Sequence, residues 1–215
     1  MKTLFRFDTP LMKGLTRITD ICLLNGLFLL TSLPILTIGV SLTAMNTCWQ
    51  KILAGQEEGL VRHYFSTIKR DFFEATIIWL GILFFTTIFS LNFYLFTLQA
   101  IVFRVIGLAI LFPFIVCLLL LFVMLFSYIG RYEDGVWRSI KNCLLIAIQN
   151  GKQAGLLLLF NSLLMYFSLS SPERLLTAIY VYTFGGFAMT SLINNLLLKK
   201  MYQKTERTIA EPQEI

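Results

Sequence analysis

Between Asp20 and Lys51 the chain runs for thirty residues with no ionisable acid or base except Cys22 and Cys48. A helix crosses the hydrocarbon core of a bilayer with about 20 apolar residues, so this run exceeds one span. It also carries its own interruption. Pro34 and Gly39 are residue types that end or bend helices. The stretch reads as a helical hairpin folding back around residues 33–39, with spans at 17–33 and 36–53. The second of these is polar for a membrane helix, with Thr37, Ser41, Thr43, Asn46, Thr47 and Gln50. Such side chains are tolerated where they hydrogen-bond to a neighbouring helix.

The rest of the chain points to the same solvent. Apolar residues make up 57% and charged residues only 14%, against about 25% charged in a soluble domain. The fold class that follows is all-α: a polytopic transmembrane bundle of about six spans in three hairpins. Further spans are expected at 75–98, 105–129 (with a kink at Pro113), 153–170 and 175–198. Residues 1–198 then form a single integral membrane domain and 199–215 a polar, frayed cytoplasmic tail. The first apolar run starts near Ile21 and does not stop after 7–15 residues as a signal core does, so the first span is expected to be retained. Amphipathic interfacial helices are expected before each hairpin, on the cytoplasmic side. Leu11, Met12, Leu15 and Ile18 share one face. Leu60, Tyr64, Ile68 and Phe72 recur every four residues, widened by Val61 and Phe65. Val136, Trp137, Ile140, Leu144, Ala147 and Ile148 make a third stripe. A loose threefold plan, surface helix then hairpin, starts near residues 11, 60 and 136.

The net charge of +6 does not indicate nucleic acid, because the basic residues flank apolar runs. With six spans and a cytoplasmic N-terminus, 16 of the 18 Lys and Arg residues face the cell interior and only Arg104 and Arg174 face out. Reading 21–50 as one span leaves 12 inside and 6 outside. Lys and Arg near span ends set orientation, which favours the hairpin, with both termini cytoplasmic in a cell membrane. Trp49, Trp79 and Trp137 then fall at the cytoplasmic interface, where indole rings concentrate.

Sites for chemistry are sparse. No acid or base lies mid-span, where coupled carriers place theirs; Asp20 and Glu74 mark span ends. Cys22, Cys48, Cys117 and Cys143 form no close pair, and read as small packing residues. His63 has no second ligand nearby and reads as a solvated side chain. Glu57-Glu58 and Glu133-Asp134 read as acids complementing helix starts. Asn25, Asn46, Asn92, Asn161, Asn194 and Asn195 read as bundle glue, with Asn25 and Asn46 facing one another across the first hairpin. Gly185-Gly186 reads either as a close helix contact or as a break lining a cavity. There is no phosphate loop, H-E-x-x-H or G-x-S-x-G motif. The expectation is a non-enzymatic protein with no catalytic, cofactor-binding or metal residues, whose first partner is the lipid bilayer.

The run Leu24-Asn25 … Ser32-Leu33-Pro34-Ile35 … Thr37-Ile38-Gly39 … Thr43-Ala44-Met45 resembles the opening of the YesL-like family of bacterial membrane proteins. Tyr64-Phe65 … Lys69-Arg70-Asp71-Phe72-Phe73 … Ala75-Thr76 … Trp79 resembles its second signature, and Ile140-Lys141-Asn142 with Ala147 a weaker third. Val40-Ser41, where a proline is expected after the glycine, and Cys143, where a small residue is usual, depart from the pattern. The resemblance marks Asn25, Pro34, Thr37, Gly39, Thr43, Ala44, Phe65, Lys69, Phe72, Ala75 and Trp79 as structural signature positions. The family is itself uncharacterised. Its members are often encoded beside carbohydrate ABC-uptake components and sensor kinases in Gram-positive bacteria. That association implies an accessory or regulatory role in carbohydrate uptake or its sensing, with ABC sugar-transporter subunits or a sensor kinase as partners. A permease or channel for a neutral solute, and a lipid-binding or envelope-stress protein, are the alternatives.

Overall fold

The computed structural model describes residues 10–56, 59–98 and 101–210; side chains at 10–13 and 207–210 are not described. Glu57-Glu58, Lys2 and Arg6 lie outside the described residues. The elements are α1 (Pro10–Thr31), a 3-10 turn (Ile35–Thr37), α2 (Ile38–Leu53), α3 (Leu60–Thr97), α4 (Ile101–Ile129), α5 (Val136–Gln149), α6 (Gly151–Leu169), α7 (Pro172–Val181), a wide π turn (Tyr182–Gly186) and α8 (Phe187–Ala210). Every described element is helical. Five stretches are long and apolar enough to cross a membrane: α1 from Gly14, α3, α4, α6 and the α7–α8 pair. They place the chain in a lipid bilayer.

The expected sixth span, α2, is not among them. It has 16 residues, about 24 Å of helix, and it lies inside the bundle. Its residues from Gly39 to Trp49 are buried except Leu42. Its polar side chains Ser41, Thr43, Asn46 and Thr47 are buried in that interior. Thr43 Oγ1 and Thr47 Oγ1 bond back to the carbonyls of Gly39 and Thr43, and Asn46 reaches α8.

The fold-back at Pro34 is present. Thr37 Oγ1 donates to the carbonyls of Thr31 (2.6 Å) and Pro34 (2.7 Å), closing the turn. Leu24 and Phe28 of α1 then pack with Ala44, Met45 and Cys48 of α2. The height of that turn differs from expectation. Trp79 Nε1 donates to the carbonyl of Ile35 at 2.8 Å, and a Cβ on Gly39 would lie 2.6 Å from Trp79 Cβ and 2.7 Å from the carbonyl oxygen of Ala75. At the other end of α2, Cys48 Sγ lies 3.8 Å from the carbonyl of Leu60. The first hairpin therefore runs beside the Leu60–Trp79 half of α3. The expectation of a turn on the outer face with Trp79 on the inner one is overturned. The cause is close packing: Gly39 lets α2 approach Ala75 and Trp79, on the face of α3 where Thr67, Asp71 and Ala75 are buried. That face does not continue past Trp79.

Two of the three expected interfacial helices do not exist as separate elements. Residues 11–18 continue into the first span as α1, and residues 60–74 are the first half of the 38-residue α3. The face of α3 that packs inward carries Tyr64, Thr67 and Asp71, while Phe65 and Phe72 are exposed. Only α5 stands alone. It buries Ser139, Cys143, Ile146 and Ala147, whereas Trp137 and Ile148 of the expected stripe are exposed. Past Trp79, Leu80–Thr97 projects about 27 Å and packs against α4, as in the Phe89–Phe114 ring contact. Phe84, Phe85, Phe93, Phe103 and Phe112 are exposed there, as a lipid-facing surface would be.

Trp49 and Trp79 are buried, and of the three tryptophans only Trp137 is exposed. α8 continues beyond Leu198, where the tail was expected, and buries Met201 and Tyr202. At this end the basic segments converge. Lys199 Nζ donates to the carbonyl of Leu53, Arg70 Nη2 to that of Gly130, and Arg131 forms a bidentate pair with Glu206. The Tyr132 phenol donates to the same carboxylate at 2.6 Å. Burial first, and then that hydrogen bond, push Tyr132 up to about 12.

Candidate functional site: an amide-lined cavity at a broken helix

Gly185 has φ 161° and ψ −3°, so the helix formed by α7 and α8 is interrupted. An interruption inside a membrane frees backbone groups that must find partners in the protein. One side chain supplies them. Asn25 Nδ2 donates to the carbonyls of Thr183 (2.8 Å) and Tyr182 (3.1 Å), and its Oδ1 accepts from the backbone N–H of Ala188 (3.2 Å). A primary amide carries both donors and an acceptor, which is what a broken helix needs on its two sides. Asn25 is 1% exposed. The Phe28 and Tyr182 rings pack on Phe187 beside it. Asn25 and Asn46 therefore do not face one another, as the hairpin reading expected. Each holds the α7–α8 segment separately. Gly185-Gly186 is the break rather than a simple close contact. A Cβ on Gly186 would lie 2.9 Å from the Tyr182 ring and 3.0 Å from the Val181 carbonyl oxygen.

One helical turn further on, α2 and α8 share a second amide cluster. Asn46 Oδ1 accepts from Ser191 Oγ (2.6 Å) and Asn195 Nδ2 (2.8 Å). Asn195 Oδ1 accepts from Ser127 Oγ (3.0 Å) and Gln50 Nε2 (3.4 Å). Asn161 of α6 and Asn194 of α8 donate to one another at 2.9 and 3.2 Å. The glue expected of Asn46, Asn161, Asn194 and Asn195 is thus formed, across four helices, whereas Asn92 bonds only within α3, to the carbonyl of Ile88. Thr190, Ser191, Asn194 and Asn195 recur on α8 at four-residue spacing, and that pattern was visible in the sequence for a polar face.

Beneath the break this cluster borders a cavity of about 270 Å³, walled by Phe28, Leu42, Phe122, Phe126 and Phe187, with Asn46, Asn161, Tyr182, Thr190, Ser191 and Asn194 as its polar lining. No Asp, Glu, Lys, Arg or His lines it. Asn46 is 8% exposed. Both hydrogen bonds it makes use Oδ1, which leaves its Nδ2 with no partner among the described residues. The Tyr182 and Thr190 hydroxyls on the same wall likewise accept and donate nothing there. Asn46 Nδ2 is thus free to donate to a molecule in this space, and a mostly apolar cavity with a few convergent polar groups is the usual form of a small-molecule site.

Among the signature positions, Thr37, Gly39, Thr43, Ala44, Ala75 and Trp79 lie along the contacts of the first hairpin with α3, with Pro34 exposed at the turn, while Asn25 faces the α7–α8 break. Phe65, Lys69 and Phe72 face outward. Cys48 and Cys143 are buried, and burial pushes the Cys143 thiol up, away from its reactive thiolate form. Among the described residues no three His, Cys, Asp or Glu side chains gather as a metal site would require.

A family model described as "Protein of unknown function, DUF624" matches residues 21–93. The match runs from within α1 through α2 to near the end of α3, and so covers the first hairpin and every signature position. No curated protein and no solved structure matches the chain.

Proposed function

We propose that this chain is a non-enzymatic multi-pass membrane protein that binds a small, uncharged, hydrogen-bonding ligand in the cavity below the α7–α8 break. The observation that carries the proposal is the unpaired amide of Asn46, held in place by Ser191 and Asn195 and facing an uncharged, aromatic-walled space. A ligand with hydroxyl groups on an apolar frame would accept from Asn46 Nδ2 and meet the rings of Phe122 and Phe126. The absence of a charged lining group disfavours ionic ligands, whose burial needs a partner.

The assignment to carbohydrate uptake or its sensing, beside ABC sugar-transporter subunits or a sensor kinase, rests on the family resemblance. A hydroxyl-rich ligand is compatible with it. The helix break favours one second reading, passage of a neutral solute, since discontinuous helices line the substrate sites of many transporters.

The test uses the full chain in lipid nanodiscs, titrated with uncharged monosaccharides, polyols and their alkyl derivatives while its melting is followed. A ligand at 100 times its Kd stabilises by about 2.7 kcal/mol. Stabilisation by one ligand class that is lost in Asn46→Leu is the expected result. No stabilisation by any of them sinks the proposal. Vesicles holding the chain then separate binding from passage, because only a permease admits the same ligand to the lumen.

A further inference from the structure

We infer that the ligand of this cavity is an amphiphile with an uncharged, hydroxyl-bearing head and an apolar chain, which enters sideways from the lipid at the α7–α8 break. The inference rests on the reading of the cavity given above and names its ligand class.

The observation is that the cavity adjoins two further spaces. A groove of about 320 Å³ between α4 and α6 shares with it Phe122, Val123, Asn161, Tyr182 and Thr190. A third space of about 350 Å³, between α6, α7 and α8, shares Leu164, Ser168, Tyr182 and Thr190 with that groove. Tyr182 and Thr190 border all three. They flank the break, one on the wide turn and one on the first turn of α8. The three spaces therefore lie side by side, sharing walls, from the amide cluster at the bundle centre to the outer faces of α6 and α7.

Polarity falls in that order. Around the cavity sit Asn46, Asn161, Ser191 and Asn194. In the groove Asn161 and Ser168 stand among Leu119, Leu164, Met165 and Leu169. Met165 and Leu169 are more than half exposed, so in a bilayer this groove opens on acyl chains. An apolar chain laid from Leu164 to Phe122 stays in hydrocarbon-like surroundings throughout. Only its head reaches Asn46. A free polar solute arriving by the same route would have to shed its water before meeting the first amide.

Head charge is set by the lining. No acid or base lies in the cavity or the groove, and burying an unpaired phosphate or ammonium there is unfavourable. Arg174 borders the third space, but its guanidinium donates to Ser170 Oγ at 2.7 Å and lies over the Phe167 ring, away from Asn46. Tyr182 is the gate residue of this arrangement. Its backbone carbonyl is held by Asn25 while its ring forms the common wall.

The test compares two photoreactive probes in nanodiscs of phosphatidylcholine holding the full chain. One is a monoacylglycerol with a diazirine in its acyl chain; the other carries the same chain on a phosphatidylglycerol head. The expected result is labelling of α6 and α8 peptides containing Leu164 and Thr190, at least fivefold stronger with the uncharged head. It falls at least fivefold in Asn46→Leu and in the near-isosteric Thr190→Val, whose melting reports that the fold is retained. Millimolar glycerol or glucose leaves it unchanged. Equal labelling by both heads, or labelling indifferent to both substitutions, overturns the inference and reduces the groove to ordinary lipid contact. Binding of free glycerol or glucose without labelling by the uncharged probe overturns the inference and leaves the cavity reading standing. Failure of every ligand, soluble or lipid, removes both.

Discussion

The indole N–H of Trp79 donates to the carbonyl of Ile35 at 2.8 Å, and so ties the middle of the longest helix to the tip of the first hairpin. Beneath that bond Gly39 lets the α2 backbone lie against Ala75 and Trp79. Gly39→Ala is expected to destabilise the protein by about 1–3 kcal/mol, as overpacking does. Gly26→Ala, where a Cβ meets nothing within 4 Å, is expected to be neutral, or stabilising by up to about 1 kcal/mol as Gly-to-Ala in a helix can be. Melting of the two variants in one detergent checks the contrast. Equal losses would mean that α2 and α3 are not packed in this register.

Asn25→Leu removes the partner of two carbonyls and one backbone N–H at the helix break. A loss of about 1–3 kcal/mol is expected for leaving such buried groups unpaired. Hydrogen exchange at the Ala188 amide should rise at the same time, with little change in α4. Exchange that stays level at Ala188 would show that Asn25 does not hold the break closed.

Asn161 and Asn194 donate to one another across α6 and α8. In a double-mutant cycle to Leu, a coupling of about 0.6 kcal/mol, and no more than about 1.7, is expected for a polar pair between membrane helices. Purely additive losses would remove the pair as a stabilising contact.

Tyr132 donates its phenol proton to Glu206, and its folded-state value is raised from 10.0 to about 12. The unfolded chain gives up that proton first as pH rises. The stabilisation is therefore complete below about pH 10 and is lost as pH climbs through 12. Tyr132→Phe should flatten this part of a melting-against-pH curve. A wild-type curve already flat between pH 10 and 12 would contradict the geometry of the α4–α8 contact.

The environment of the chain was legible in the sequence, because hydropathy is summed locally and needs no partner. The charge-free runs mark α3, α4 and α6 to within a few residues over their apolar parts, and Pro34 with Gly39 marks the fold-back. Local pattern also found the polarity of α2 and the asparagines. It could not say what they touch. Asn25 pairs with residues 182–188 rather than with Asn46, and nothing near residue 25 states that they lie beside it. The amphipathic start of α3 looked like a surface helix for the same reason. The stripe Leu60, Tyr64, Ile68 and Phe72 suits a surface helix, but the face that buries against α2 carries Tyr64, Thr67 and Asp71, and only the presence of α2 selects it. Local hydropathy is enough to show that the chain lives in lipid, that it is helical and where its first hairpin turns. The tertiary structure alone decided the height at which the first hairpin docks, the break at Gly185 and the cavity beneath it. Those depend on which groups find each other across the bundle, 44 residues apart for Trp79 and Ile35 and 157 for Asn25 and Tyr182, rather than on any local run.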